Sequence, residues 1–208
     1  MKIFRSAAIL AGGKSVRMGF DKRKIKARDR YIIENQIEVL KKEFDEIFLV
    51  TSPFSPITFD NCKTVYDEFL DSGPIGGIHK GLKSSSSEFV YFVGCDMPVI
   101  NLDYIRFMRS RLNECPADIC ITANGSFVEP LNSFYAQSVS SSIENVLAAN
   151  HKSLNEIFKL NLTKVIPEIS ARAFDSNYDM FINLNYYGDV LRFEKILHKW
   201  TSRSVPCA

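Results

Sequence analysis

Short apolar segments of strand length alternate with amphipathic segments through the first half of the chain. Within the amphipathic segments, apolar residues recur every three or four positions, which is the spacing of a helix with one buried face. Strand candidates cover residues 7–10, 47–50, 64–66 and 89–93, and helix candidates cover residues 33–44, 75–82 and 102–112. Strands that alternate with helices form βαβ units. We therefore expect an α/β fold of three layers, Rossmann-like, with a mainly parallel sheet between two layers of helices.

The second half of the chain is less regular and contains a candidate hairpin. Residues 118–122 and 128–135 are strand-like, and Asn124-Gly125 between them is typical of a tight turn. Helices are also expected over residues 138–149, 154–160 and 189–200, and strands over residues 163–166 and 180–184. A hairpin among parallel strands makes the sheet mixed. We expect residues 1–200 to form a single domain, followed by a disordered tail over residues 201–208.

The first strand candidate ends in a glycine-rich loop that carries three cationic side chains. Residues 10–22 read LAGGKSVRMGFDK, in which the cations are Lys14, Arg17 and Lys22. Glycine lets backbone N–H groups approach a ligand closely, and Lys and Arg supply positive charge for phosphate groups. Open α/β sheets bind nucleotides at the carboxyl ends of their parallel strands. The spacing matches neither the Walker pattern nor GxGxxG, so it indicates a phosphate loop of another kind.

Two aspartates follow other strand candidates, at the same edge of the sheet as this loop. Asp96 comes just after residues 89–93. A carboxylate at that place suits Mg²⁺, which keeps water and phosphate oxygens as its other ligands. Asp67 follows residues 64–66 and precedes a turn over residues 73–77 that opens a helix. The alternative interpretations are a helix cap or turn for Asp96 and an Asx-turn for Asp67. Beside the glycine loop, Asp96 is predicted to bind a metal ion.

Residues 10–22 fill every fixed position of the pattern L-A-G-G-x-S-x-R-M-G-x-D-K. The chain therefore resembles the molybdenum cofactor guanylyltransferases of the nucleotidyltransferase superfamily. Residues 95–98 (CDMP) resemble the C-D-x-P metal motif of that family, and residues 73–77 (GPIGG) match its G-P-[LI]-x-G segment. Looser matches are residues 129–131 (EPL) and 183–185 (NLN). The resemblance covers nearly the whole chain and is strongest in the first half.

The resemblance implies a nucleotidyltransferase fold and transfer of GMP from GTP to molybdenum-loaded molybdopterin, with release of pyrophosphate. It implies Mg²⁺ as the cofactor, held by Asp96, and catalytic roles for Arg17, Lys22 and Asp96. It assigns nucleotide binding to Leu10, Ala11, Gly12, Gly13, Lys22, Thr51, Asp67 and Asp96, and acceptor binding to Glu129, Asn183 and Asn185. Thr51 departs from the pattern, because the family has at that place an asparagine that touches the nucleotide. A hydroxyl lacks the paired donor and acceptor of an amide, so base recognition at this position is open.

Two other functions are compatible with these motifs. One is transfer of a nucleotide to another phosphorylated acceptor, as in cytidylyltransferases and sugar-phosphate enzymes of the same fold. Residues 10–13 (LAGG) favour guanine, since relatives that use cytidine tend towards L-A-A-G. The other function is that of a non-catalytic molybdopterin carrier, which has no need of a metal–phosphate site.

No Ser, Cys or His arrangement typical of a nucleophile is present, so we expect no covalent nucleotidyl-enzyme. The histidines His79, His151 and His198 are interpreted as structural.

Charge and cysteine content exclude several classes of protein. The net charge of +2 argues against a dedicated nucleic-acid surface. No apolar run reaches the ~18 residues of a membrane helix. Five scattered cysteines without a CxxC pair indicate reduced thiols, and we expect a cytoplasmic protein.

The expected partners are GTP and molybdopterin, with transient contacts to molybdopterin-handling proteins and apo-molybdoenzymes. Within the basic cluster at residues 22–30, only Lys22 is assigned to the site, and Arg23 and its neighbours are expected to face water.

Overall fold

A seven-stranded mixed sheet lies at the centre of the molecule. The computed structural model describes residues 3–12, 21–27, 29–186 and 188–194. The strands are β1 (Ser6–Leu10), β2 (Lys26–Ala27), β3 (Arg30–Tyr31), β4 (Glu46–Thr51), β5 (Lys63–Tyr66), β6 (Phe89–Gly94), β7 (Ile119–Asn124), β8 (Phe127–Ala136) and β9 (Thr163–Ile166). The sheet order is β5-β4-β1-β6-β8-β7-β9, while β2 and β3 form a separate antiparallel pair.

Parallel pairing dominates the half of the sheet that comes first in the chain. Strand β1 lies between β4 and β6, parallel to both, and β5 is parallel to β4. Strand β8 is antiparallel to both β6 and β7, and β9 returns parallel to β7. The turn between β7 and β8 contains Gly125 at a φ of 60°. The predictions of a mixed, mainly parallel sheet and of a hairpin at Asn124-Gly125 are therefore confirmed.

Helices cover both faces of the sheet. They are α1 (Ile32–Leu40), α2 (Pro74–Ser84), α3 (Leu102–Glu114), α4 (Val139–Ala148), α5 (Leu154–Leu160) and α6 (Glu168–Arg172). Side chains of β1 alternate between the two faces: Ala7 and Ile9 join the core that contains α1 and α3, whereas Ala8 and Leu10 join the core that contains α2, α4 and α5. Helix α1 ends at Leu40, four residues before the expected end, although Phe44 still packs in the core.

Backbone hydrogen bonds of the parallel strands continue into the loops that follow them. The N–H of Ala11 donates to the carbonyl of Val50 at 2.8 Å, and the N–H of Cys95 donates to the carbonyl of Leu10 at 3.0 Å. The N–H of Asp67 likewise donates to the carbonyl of Thr51 at 2.9 Å. These bonds fix the starts of the loops after β1, β4, β5 and β6 at one edge of the sheet.

The prediction of a strand over residues 180–184 is wrong. Residues Asp179–Phe181 form a 3₁₀ turn, and the Asp175 carboxylate accepts the N–H of Met180 at 2.7 Å. Met180 and Leu184 are fully buried. The periodicity of a short buried apolar run does not distinguish a strand from a helical turn, so the sequence alone could not exclude the strand.

The last part of the chain is described as far as residue 194. Residues 188–194 are helical, as expected for the first part of a helix over residues 189–200. Residues 195–200 and the predicted tail at residues 201–208 lie outside the described residues. Within the described part, no helix has the length and apolar character needed to cross a bilayer. The four cysteines in that part are all free thiols.

Candidate functional site

A cavity of about 1010 Å³ opens at the carboxyl edge of the parallel strands. Its wall combines the ends of β1, β4 and β6 with the loops that follow β4, β5 and β6 and with the start of α2. The lining residues include Leu10, Ala11, Gly12, Lys22, Asp67, Gly77 and Asp96. The cavity therefore brings together six of the residues predicted to bind a nucleotide. Gly13, predicted to bind the nucleotide, and Arg17, predicted to be catalytic, lie outside the described residues.

Lys22 and Asp96 form an ion pair at the end of β6. The ammonium of Lys22 donates to Asp96 Oδ2 at 2.9 Å and to Asn185 Oδ1 at 2.7 Å. The Lys22 and Asp96 side chains are 20% and 21% exposed, so the pair is partly shielded from water. Helix α3 is capped by Asn101, which accepts the N–H of Tyr104, so Asp96 is not a helix cap. Its carboxylate is thus placed to bind a cation.

The turn that carries Asp96 is held by a buried amide from α1. Gln36 Nε2 donates to the carbonyls of Gly94 and Met97, each at 2.8 Å, on either side of Asp96. Gly94 is required at the end of the strand, because a Cβ there would lie 2.6 Å from Asp96 Oδ1. The N–H of Leu184 also donates to the carbonyl of Asp96 at 2.8 Å. Two segments distant in sequence, α1 and the segment that contains Leu184, therefore fix the backbone of the turn that carries Asp96.

Asp67 lies against the first turn of α2. Its Oδ1 accepts the N–H of Phe69 at 2.9 Å, which is the Asx-turn named above as an alternative. The side chain also lines the cavity, so the turn and a contact to ligand are compatible. Burial raises the pKa of this carboxyl above its usual value. Gly76 permits the close packing, since a Cβ at that position would lie 2.7 Å from Asp67 Oδ1.

Arg23 belongs to the wall of the cavity, and the expectation that it faces water is wrong. Its guanidinium forms a two-point contact with Asp21, with Nε to Oδ1 and Nη2 to Oδ2 both at 2.7 Å. It also donates to the carbonyl and, at 2.7 Å, to the hydroxyl oxygen of Ser55. Hydrogen bonds from Arg23 hold the pKa of Asp21 below its usual value. Lys24, Lys26 and Arg30 are exposed, as expected.

Thr51 is completely buried and is not among the residues that line the cavity. Its neighbours Val50 and Ser52 do line it. The Thr51 hydroxyl oxygen lies 3.4 Å from Arg23 Nη1 and 3.4 Å from the carbonyl oxygen of Ser55. The side chain that departs from the family pattern therefore contacts Arg23 and Ser55, which hold the loop after β4, and does not face the cavity. Ser52 is the polar side chain from this strand end that meets the cavity.

The three predicted acceptor-binding residues are not together. Asn185 lies beside Lys22, whereas the Glu129 carboxylate accepts the amide of Asn124 at 2.8 Å within the hairpin. The Asn183 amide donates to the carbonyl of Phe181 at 3.3 Å. None of the three is among the residues that line the cavity, which Leu131 reaches from β8. Of the three, Asn185 is the one that the structure brings to the predicted catalytic groups.

The cavity wall contains one cysteine, whose thiol is held neutral by burial. Cys95 lines the cavity, and burial raises the pKa of its thiol to about 12, so no thiolate forms near neutral pH. His79 is a buried residue of α2 and contacts Glu144 at 2.9 Å, and His151 contacts Glu156 at 2.8 Å, in keeping with structural roles. Among residues 3–12, 21–27, 29–186 and 188–194, no three His, Cys, Asp or Glu side chains form a metal-binding cluster. The arrangement favours direct transfer between bound substrates over a covalent intermediate.

Several residues of the cavity wall were not expected from the sequence. They are Arg23, Ser52, Phe54, Ser55 and Leu70. Arg23 directly follows the D-K pair of the glycine-rich motif, and this adjacency is the one feature of the sequence that could have placed Arg23 at the site. Phe54 and Leu70 follow strands β4 and β5, so their positions at strand ends were a second signal.

Comparisons with known proteins agree on one family. The family model described as the MobA-like NTP transferase domain matches residues 7–165. A molybdenum cofactor guanylyltransferase from Syntrophotalea carbinolica is 45% identical over 192 residues, which cover 92% of this chain and 90% of that protein. A probable molybdenum cofactor guanylyltransferase from Peptoclostridium acidaminophilum is 38% identical over 200 residues, covering 94% of this chain and 90% of the relative.

A solved structure supports the fold independently. The molybdopterin-guanine dinucleotide biosynthesis protein A from Archaeoglobus fulgidus superposes with a TM-score of 0.79 at 22% identity. The superposition covers 93% of this chain and 99% of that structure. At this identity the likeness concerns the fold, and it confirms the predicted three-layer nucleotidyltransferase architecture.

Proposed function

The chain belongs to the family of MobA-like NTP transferases, and on that premise we propose that it transfers GMP from GTP to molybdenum-loaded molybdopterin. Pyrophosphate leaves, and the product is the guanine dinucleotide form of the cofactor. The observation that carries the proposal is the meeting of Lys22, Asp96 and Asn185 at a cavity that also contains Asp67. One cavity thus contains cationic and acidic groups suited to phosphates and Mg²⁺, and a second carboxylate suited to the polar edge of a base.

We assign the two ends of the nucleotide from the side chains that line the cavity. The triphosphate lies at the Lys22 and Asp96 end, where the glycine-rich loop begins at Gly12. The base lies towards Asp67 and the first turn of α2, where Gly73, Pro74 and Gly77 line the cavity. In the reaction a phosphate oxygen of the acceptor attacks the α-phosphorus, and the bond to the pyrophosphate oxygen breaks. Lys22 lowers the barrier by neutralising charge that develops on the phosphoryl oxygens.

The site fits the Mg²⁺ that this chemistry requires. Mg²⁺ uses one or two protein carboxylates together with water and phosphate oxygens, and Asp96 supplies one partly exposed carboxylate at the cavity. Bound there, the ion would neutralise phosphate charge. The Lys22 ammonium now occupies one oxygen of that carboxylate at 2.9 Å. The lysine is therefore a counter-ion that exchanges its carboxylate for a nucleotide phosphate when substrate enters.

The test is a turnover assay with the purified protein, Mg²⁺, molybdenum-loaded molybdopterin and one nucleoside triphosphate at a time. We expect pyrophosphate release and a guanine dinucleotide product with GTP, and at least about tenfold less release with ATP or CTP. Preferential use of CTP would move the assignment to a cytidylyltransferase. Tight binding of molybdopterin without turnover of any nucleotide would support the carrier instead.

A further inference from the structure

Two large apolar side chains are exposed at the mouth of the cavity. Phe54 is 82% exposed and Leu70 is 42% exposed, and both line the cavity. They follow the neighbouring parallel strands β4 and β5, so they come from adjacent loops at the same edge of the sheet. Single exposed apolar residues are common, but a pair at the mouth of a cavity marks a ligand-binding surface.

The loop that carries Phe54 is held in place by polar contacts on one side only. Ser52 anchors it through its hydroxyl, which accepts the N–H of Phe54 at 3.3 Å, and through its carbonyl, which accepts the N–H of Ser55 at 3.3 Å. Arg23 then binds both the carbonyl and the hydroxyl of Ser55. Hydrogen bonds within the loop and from Arg23 thus hold residues 52–55, and the Phe54 ring remains exposed to solvent at the opening.

The chemistry of a nucleobase matches this division. A base has two apolar faces and a polar edge, and each surface needs a different partner. Asp67 lines the same cavity and offers a carboxylate to a polar edge, while its own loop continues to Leu70. An exposed aromatic ring stacks favourably on any base, more so on the larger face of a purine.

We propose that Phe54 and Leu70 form an apolar clamp on the purine ring of the bound nucleotide, and that Arg23 positions the Phe54 loop. The inference rests on the proposed function and adds to it that different residues select the purine ring and the guanine base. The clamp distinguishes purines from pyrimidines, because a pyrimidine covers less of the Phe54 ring. Asp67 distinguishes guanine from adenine, because only guanine presents the N1–H and amino donors that a carboxylate accepts together.

Equilibrium binding separates the clamp from the phosphate site. Affinities of the wild type and of Phe54→Ala are measured for Mg²⁺ complexes of GTP, ATP, CTP and inorganic tripolyphosphate, which has no base. We expect Phe54→Ala to weaken GTP and ATP about tenfold each, to weaken CTP less, and to leave tripolyphosphate unchanged. The ratio of GTP to ATP affinity is then preserved while the ratio of GTP to CTP affinity falls. Phe54→Trp is expected to retain the wild-type preference.

Phe127→Ala is the matched control. Phe127 is 78% exposed, follows the hairpin turn and is absent from the cavity wall, so all four affinities stay at wild-type values. Unchanged GTP binding in Phe54→Ala, with a wild type that binds and turns over GTP, overturns the clamp and leaves the proposed function standing. Equal losses for GTP and tripolyphosphate also overturn it, because the defect then lies at the phosphates. A wild type that binds no nucleoside triphosphate overturns both proposals.

Discussion

The two ends of the cavity neutralise their charged side chains in different ways. At the phosphate end, Asp96 and Lys22 lie 2.9 Å apart and satisfy each other, with Asn185 as a third partner. At the base end, Asp67 accepts one backbone N–H, and its burial raises its pKa. At the first end, a bound substrate must therefore replace the contact between Lys22 and Asp96. At the second end, it supplies hydrogen-bond donors to a carboxylate that is costly to bury. Charge loss should therefore harm catalysis at one end and relieve the fold at the other.

The largest expected effect is that of Asp96→Asn. The change is nearly isosteric and removes the charge to which the proposed metal ion binds, so we expect transfer to fall by about 10³-fold. The melting temperature should change little, because Gln36 and Leu184 hold the turn through backbone carbonyls. Pyrophosphate release measured over a range of Mg²⁺ concentrations checks this. Activity within a few-fold of wild type would remove Asp96 from the catalytic group.

Lys22→Ala is expected to lower kcat by about 10²-fold, the loss typical of one well-placed donor to a developing charge. Lys24→Ala is the matched control, since Lys24 lies in the same 3₁₀ turn and is exposed. The rates of both variants are compared at saturating GTP. If the two lysine variants lose equal activity, the contribution of Lys22 is general surface charge.

Gly94→Ala tests whether the position of the Asp96 carboxylate matters as well as its charge. The added Cβ would lie 2.6 Å from Asp96 Oδ1 and must displace it, so we expect transfer to fall by about tenfold, with a higher Mg²⁺ requirement. At Gly188 a Cβ meets no atom within 4 Å, and Gly188→Ala serves as the control. Wild-type Mg²⁺ dependence in Gly94→Ala would show that the carboxylate tolerates displacement.

Asp67→Asn is expected to have the smallest effect of these substitutions, and that effect is a gain in the free energy of unfolding. The amide oxygen still accepts the N–H of Phe69, and the variant no longer buries an ionised group. The folded pKa of Asp67 is raised above 3.8, so wild-type stability is lost as pH rises through that folded pKa. The variant should therefore be more stable than wild type near pH 7 and equal to it below about pH 3.8. The gain is at most about 1 kcal/mol, because solvent screens a half-buried group.

Thermal unfolding of Asp67→Asn at several pH values measures this difference. The same variant should lose its preference for GTP over ATP, because an amide cannot accept both donors of guanine. A variant that is more stable at neutral pH and still selects guanine would separate the buried charge from base recognition.

The sequence predicted the parallel half of the sheet and the residues at its strand ends, because both depend on local patterns. Strands β1, β4, β5 and β6 are apolar runs bounded by turn residues, and Asp67 and Asp96 follow two of them directly. The site residues missed by the sequence depend on contacts between distant segments. Arg23 is partly shielded from water because Ser55, 32 positions away, and its neighbour Asp21 both contact its guanidinium. The sequence of a basic cluster does not show whether its arginines bind carboxylates or are solvated.

Position along the strand explains the outcome at Thr51. The side chain of the last residue in β4 is fully buried, and Val50 and Ser52 meet the cavity instead. Alternation along a strand sends neighbouring side chains to opposite faces, but which of them meets the cavity depends on the loops packed above them. The sequence therefore located this strand end correctly without identifying which side chain faces the ligand.

The contact between Lys22 and Asn185 has a consequence for the order in which the protein is made. Every strand in the described part of the chain ends by Ile166, so the sheet can pair while the following residues are still emerging from the ribosome. Asn185 and Leu184 then arrive last and bind Lys22 and the carbonyl of Asp96. A chain released after residue 182 would contain the complete sheet without these two contacts. Translation thus completes the catalytic end of the cavity only after the scaffold, so that unfinished chains do not hold it in its final form.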